Sequence, residues 1–194
     1  MGTSGRRLNL SPIGFDIVLA LSQAPDGLRL ADLAHVMGSP VSSVQTALRG
    51  LISNQLVRRE EVDPPRYLLA PDHPARDELA SLATVLPEPA HAIGILLRAN
   101  PVVAWAAVDS LGFVAATREP PATAPQEALD RHLGLVAGSR DETPIVMRLP
   151  EPEMDRVLRV GIGLRARLAK ALTIKGRLPA VIRDMAERKR PAAG

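Results

Sequence analysis

Between residues 10 and 73 the apolar positions fall in short blocks whose period switches between helix and strand. In "SPIGFDIVLALSQAPDG", Ser11 suits a helix cap and Pro12 a first helical turn. Ile13, Ile17, Leu19, Ala20 and Leu21 then predict a mostly buried helix ending near Ser22. Asp26-Gly27 reads as a turn and Leu28 to Leu30 as a short extended piece. "ADLAHVMG" predicts a brief helix with Leu33, Ala34 and Met37 inward and Gly38 as its stop. Ser39 and Pro40 open a third helix, to about Asn54, with Val41, Val44, Leu48 and Leu51 as its apolar stripe. "LVRREEV" alternates as a strand, "DPP" breaks it, and "RYLLAP" forms the second arm of a hairpin.

"PARDELASLATVL" continues as helix, and "PEP" at 87–89 marks the clearest boundary. Beyond it "AHAIGILLRAN" reads as helix, and "VVAWAAVD" and "GFVAATRE" as two strands around Ser110-Leu111-Gly112. "PPATAP" is a loop, "QEALDRHLGLVAG" a helix and "TPIVMRLP" a third strand. Residues 151–178 read as helix throughout, and "AERKRPAAG" as a frayed tail. The predicted class is α+β. A first domain at 10–73 is followed by a connecting helix and linker at 74–89, a small α/β domain of about three strands at 90–178, and a basic tail at 179–194.

Helix, short strand, helix, tight turn, helix, hairpin is the order of a winged helix-turn-helix. The stretch "LRGLISNQLVRRE" is similar to the helix-three-to-wing junction of MarR- and IclR-type bacterial regulators, with Asn54-Gln55 in place of the usual turn glycine. The resemblance covers roughly residues 10–71 and implies that the third helix enters the DNA major groove. Off its apolar stripe that helix carries Ser42, Ser43, Gln45, Thr46 and Arg49, without the Glu and Lys of an ordinary exposed face. Short hydroxyl residues let the backbone approach phosphates, Gln pairs with adenine, and Arg with guanine O6 and N7. Arg58, Arg59 and Arg66 on the hairpin are placed to contact the flanking DNA backbone or minor groove. A plain solvated helix face is the bland alternative.

Charge changes this picture only in part. The chain carries +3 overall, with eight basic and nine acidic residues at 1–86, five and seven at 87–150, and eleven and five at 151–194. Basic character therefore sits in the last quarter and not in the expected DNA-binding half. There, Arg156, Arg159, Arg167 and Lys170 fall near one face at helical spacing, with Leu158, Ile162, Leu164 and Leu168 supplying apolar contacts elsewhere. Such a face guides DNA, holds an acidic partner, or is simply solvated. Four aromatic residues in all leave no platform for stacking RNA bases. With no cysteine, disulfides and thiolate metal sites are excluded. No apolar run approaches a membrane span and residues 1–10 lack a signal-peptide block, so a cytoplasmic address is the default expectation.

Catalytic signatures are sparse. His35, His73, His91 and His132 lie far apart with no metal-ligand spacing. "GIGLRA" at 161–166 matches a dinucleotide-type string but lies in a basic helical pattern, away from any strand-to-helix turn. The second half is similar in outline to small nucleotidyltransferase-like domains. That resemblance implies a Gly-Ser turn and an Asp-x-Asp pair for two magnesium ions. Only Gly138-Ser139 and the isolated Asp109 and Asp141 answer to it, so no catalytic residue, metal or cofactor is expected.

The sequence thus predicts a bacterial regulator binding double-stranded DNA. Its apolar "AHAIGILL" and the helix after Pro152 suggest a homodimer contact within 74–178, and a small-molecule effector or protein partner for the α/β domain. The competing reading is an antitoxin-like or accessory protein that uses both halves for protein contacts.

Overall fold

A computed structural model describes residues 10–118, 124–140 and 142–188, with side chains through 184. Its first element, α1 (Pro12–Ser22), is capped by Ser11, whose hydroxyl accepts from the Gly14 amide at 3.2 Å. β1 (Leu28–Arg29) leads into α2 (Leu30–Met37), which stops at Gly38 in the left-handed conformation that glycine adopts without strain. α3 (Val41–Ser53) follows, and Gln55 takes a φ of 61°, in the left-handed region that favours glycine. β2 (Val57–Glu60) and β3 (Arg66–Leu69) pair antiparallel, and β1 joins β3 to complete an order β1-β3-β2.

α4 (Arg76–Val85) and α5 (Pro89–Ala99) carry the chain to the second sheet. β4 (Val103–Asp109) and β5 (Gly112–Thr117) form a hairpin, and α6 (Ala124–Ser139) crosses over to β6 (Ile145–Pro150), parallel to β5. Gly112 at the hairpin has a φ of 132°, and a Cβ there would lie 2.2 Å from the Ile145 carbonyl oxygen. α7 (Glu151–Val160) and α8 (Ile162–Leu168) lead to β7 (Leu172–Lys175), then α9 (Ala180–Arg188). The sheet order is β6-β5-β4-β7. α5 and α6 cover one face, while Trp105, Ala107, Val114 and Ala116 on the other pack on Met154, Leu158, Leu168 and Ile182. A register shift between Val103 and Trp105 flips the strand's alternation, so that Val103 faces α5 and Trp105 the opposite layer.

The expected α+β class holds, with four corrections in detail. The second sheet has four strands, because residues 172–175 pair with β4 instead of continuing a helix. The helical run breaks at Gly161, whose Cβ would meet the Val157 carbonyl oxygen at 2.7 Å. Residues 180–188 are helical and Ile182 is buried, although a tail was expected from 179; residues 189–194 lie outside the described set. Val41 is 49 % exposed and so is not part of the α3 core stripe, which is Val44, Leu48 and Leu51.

One apolar cluster runs through both halves. Ile17, Leu21, Leu33, Leu48 and Leu56 belong to the same buried group as Ile93, Leu97, Val103, Phe113 and Leu129. α1 packs on α3, α4 and α5, which makes it the shared wall. The apolar residues of α5 are consumed by this internal packing, so "AHAIGILL" supplies no surface for a second copy.

A buried polar chain crosses the same seam. Asn100 donates from Nδ2 to Gln23 Oε1 at 3.0 Å and to the Pro125 carbonyl at 2.7 Å, and Gln23 Nε2 lies 3.0 Å from His132 Nδ1. Lys175 on β7 donates to the Asn100 carbonyl. Burial, aided by Arg118, pulls the Lys175 ammonium down to about 8 from 10.5. Between pH 8 and 10.5 the unfolded chain holds this proton and the folded chain does not, so stability rises with pH in that window. The gain is about 3 kcal/mol, and the full cost is present below pH 8. Lys175→Met should flatten the slope of denaturation free energy against pH from 8 to 10; an unchanged slope would assign it to other groups.

Candidate nucleic-acid interface

α3 is held by Val44, Leu48 and Leu51, which seat it on α1 and α2 and turn the rest of the helix outward. Four-residue steps then align Val41, Gln45 and Arg49 on one exposed stripe, with Ser42 and Thr46 beside it. No acidic residue lies in the first turn of α3, and Pro40 provides no side-chain cap. The positive end of the helix dipole is therefore left open to an anion. Arg49 has no ion-pair partner among the described residues.

The predicted residues do not all share this surface. Ser43 is half-buried and turns, with Thr46, toward a groove of about 490 Å³ between α3 and the start of α1. Thr46 donates its hydroxyl proton to the Ser42 carbonyl at 3.0 Å, so only its oxygen lone pairs remain for an outside donor. On the wing, Arg58 pairs with Glu60 at 3.1 Å and Arg59 with Glu61 at 3.4 Å, both in solvent. Such exposed pairs contribute about 0–1 kcal/mol, so a phosphate can compete for either arginine. Arg66 instead donates to the Asp26 carbonyl at 3.1 Å and ties the wing to the turn before β1. The sequence pattern assigns Val41 to the core; its exposure at the head of α3 instead adds an apolar group to the outward stripe.

Elsewhere the candidate chemistries come apart. Asp109 is gripped by Arg167, with Nε and Nη2 at 2.9–3.1 Å from its two oxygens. This is a bidentate structural pair joining β4 to α8. It also removes Arg167 from the expected cationic face, which the break at Gly161 divides in any case; Ile162, expected in an apolar contact, is exposed. Ser139 donates to the Val136 carbonyl at the end of α6, and Asp141 lies outside the described residues. Among the described residues no group of three or more His, Asp or Glu is placed to hold a metal. Nor is any described helix long and apolar enough to cross a membrane.

No curated protein and no solved structure matches the chain. A family model does match one segment, residues 13–61, from the first turn of α1 to just past β2, about a quarter of the sequence. That model is the IclR helix-turn-helix domain, one of the two regulator types suggested by the helix-three-to-wing junction. An IclR-type helix-turn-helix with its third helix exposed supports a DNA-binding transcriptional regulator.

Proposed function

We propose that the protein binds double-stranded DNA sequence-specifically as a homodimer, with residues 10–73 reading the duplex and residues 90–178 serving dimerisation or sensing. The observation that carries this reading is the outward stripe Val41–Gln45–Arg49, free of carboxylates and backed by an uncapped helix end. Gln45 and Arg49 are the base readers, Ser42 and Thr46 line the approach to the backbone, Ser43 supports it from the groove beside α1, and Arg58 and Arg59 reach phosphates once released from their glutamates. Arg66 acts by holding the wing. Residues 74–89 connect the two parts, residues 179–194 supply a basic end, and the protein works in the cytoplasm. Four exposed apolar residues, Ile145 and Met147 on edge strand β6 and Val160 and Ile162 around the α7–α8 break, are the surface for the second copy.

Selection from random duplexes should return a two-fold site with half-sites spaced about one helical turn apart. Arg49→Ala should then cost about 1–3 kcal/mol, concentrated at one base pair of each half-site. Sedimentation of the free protein at micromolar concentration should give a dimer. Unselective binding governed by salt alone would remove the specificity claim and favour an accessory protein built on the same fold.

A further inference from the structure

At the seam between the two halves lies a cleft of about 350 Å³, open to solvent on one side and lined by the end of α1, the first half of α4 and the first half of α6. Its size falls within the roughly 300–1,000 Å³ range of small-molecule sites. Six side chains set its chemistry: Arg76, Asp77 and Ser81 from α4, Arg131 and His132 from α6, and Ser22 from α1. Leu69 and several alanines supply apolar floor.

Neither Arg76 nor Arg131 has an ion-pair partner among the described residues. Both guanidiniums line one space, and Asp77 offsets only one of their two charges. His132 is 4 % exposed and is held neutral by burial, with Arg131 adding to that effect against the pull of its bond to the Ala128 carbonyl. Its Nδ1 lies 2.7 Å from that carbonyl oxygen and 3.0 Å from Gln23 Nε2, which leaves Nε2 without a partner among the described residues. The lining is therefore one positive charge in excess. Ser22 donates its proton to the Leu19 carbonyl and Ser81 donates to the Asp77 carbonyl, so both present only acceptor lone pairs.

From this chemistry we infer that the cavity binds a small organic acid with one carboxylate and at least one hydroxyl or amino donor. The carboxylate bridges the two guanidiniums, for which planar forked donors are suited. The ligand's own N–H or O–H meets Asp77 or a serine oxygen. Walls drawn from both halves make this an effector site, since Ser22, at the end of α1, lines the cavity and α1 is the helix against which α3 packs. The effector role rests on the DNA-binding reading; the occupancy of the cavity does not.

The test uses the full chain labelled with ¹⁵N in arginine, titrated with lactate, 3-hydroxybutyrate, glutamate and 4-hydroxybenzoate, each beside its neutral amide. At least one acid should move the Arg76 and Arg131 Nε–H resonances saturably, with its amide weaker by about ten-fold or more. Arg131→Gln and Arg76→Gln should each lose about ten-fold in that affinity at unchanged melting temperature. The site is overturned if none of the four saturates below roughly 10 mM. It is equally overturned if chloride at matched ionic strength gives the same shifts. Because this readout contains no DNA, a protein that binds the acid yet selects no duplex disproves the regulator reading and leaves the site intact.

Discussion

Leu97→Ala is expected to lower the stability of the whole chain by about 2–5 kcal/mol and to unfold the winged helix together with the second sheet. Leu97 is fully buried on α5, well beyond the hairpin that ends at Leu69, in the same apolar cluster as Leu48 and Leu56. The loss combines the transfer free energy of the removed methyl groups with the cavity they leave, and α5, wedged between α1, α2, α6 and the sheet, has little room to collapse. A chain whose two halves had separate cores would show a local effect. Here α1 gives its inner face to α3 and also packs on α4 and α5, so the effect should be global. Denaturation monitored by hydrogen exchange at the amides of α3 and of β5 should give one coincident transition, shifted by the same amount at both. Protection in α3 that survives while β5 exchanges would show that the DNA-binding part folds on its own.

The parts of this molecule that were legible in the sequence are those fixed by neighbours in the chain. Ser11 and Pro12 start α1, Gly38 ends α2, and the three-and-four spacing of Val44, Leu48 and Leu51 orients α3. Val41 satisfies the same spacing yet lies outward, because it stands in the first turn, past the end of the surface that covers the rest. β7 escaped notice for a related reason. Leu172 and Thr173 are exposed and the segment is four residues long, so only its pairing with β4 makes it a strand. Arginines on the wing were visible as cations, but their engagement by Glu60, Glu61 and the Asp26 carbonyl depends on side-chain reach and on the turn before β1. The seam cavity and its polar chain were not legible at all. Gln23 lies 77 residues from Asn100 and 109 from His132, and each alone reads as an ordinary surface residue.

That polar chain makes the second large prediction, since Asn100 satisfies three buried groups at once. Its Oδ1 accepts from the Val102 amide at 3.0 Å, while Nδ2 serves both Gln23 and the Pro125 carbonyl. Asn100→Ala removes every one of these partners from a site with no exposure. Each buried polar group left unpaired costs about 1–3 kcal/mol, and a water entering the vacated space recovers part of that. A net loss of about 3–5 kcal/mol is expected. Asn100→Asp separates hydrogen bonding from packing. It keeps the acceptor for Val102 but sets a carboxylate oxygen against two other acceptors, the Gln23 Oε1 and the Pro125 carbonyl. The folded state then favours the protonated acid, so this variant binds a proton that the unfolded chain has released, and it should regain stability as pH falls from 7 to 5. Urea denaturation across that range, on both variants, reads the effect. If Asn100→Ala unfolds within about 1 kcal/mol of the parent, the two halves are held by their apolar core alone and the polar chain contributes no stability.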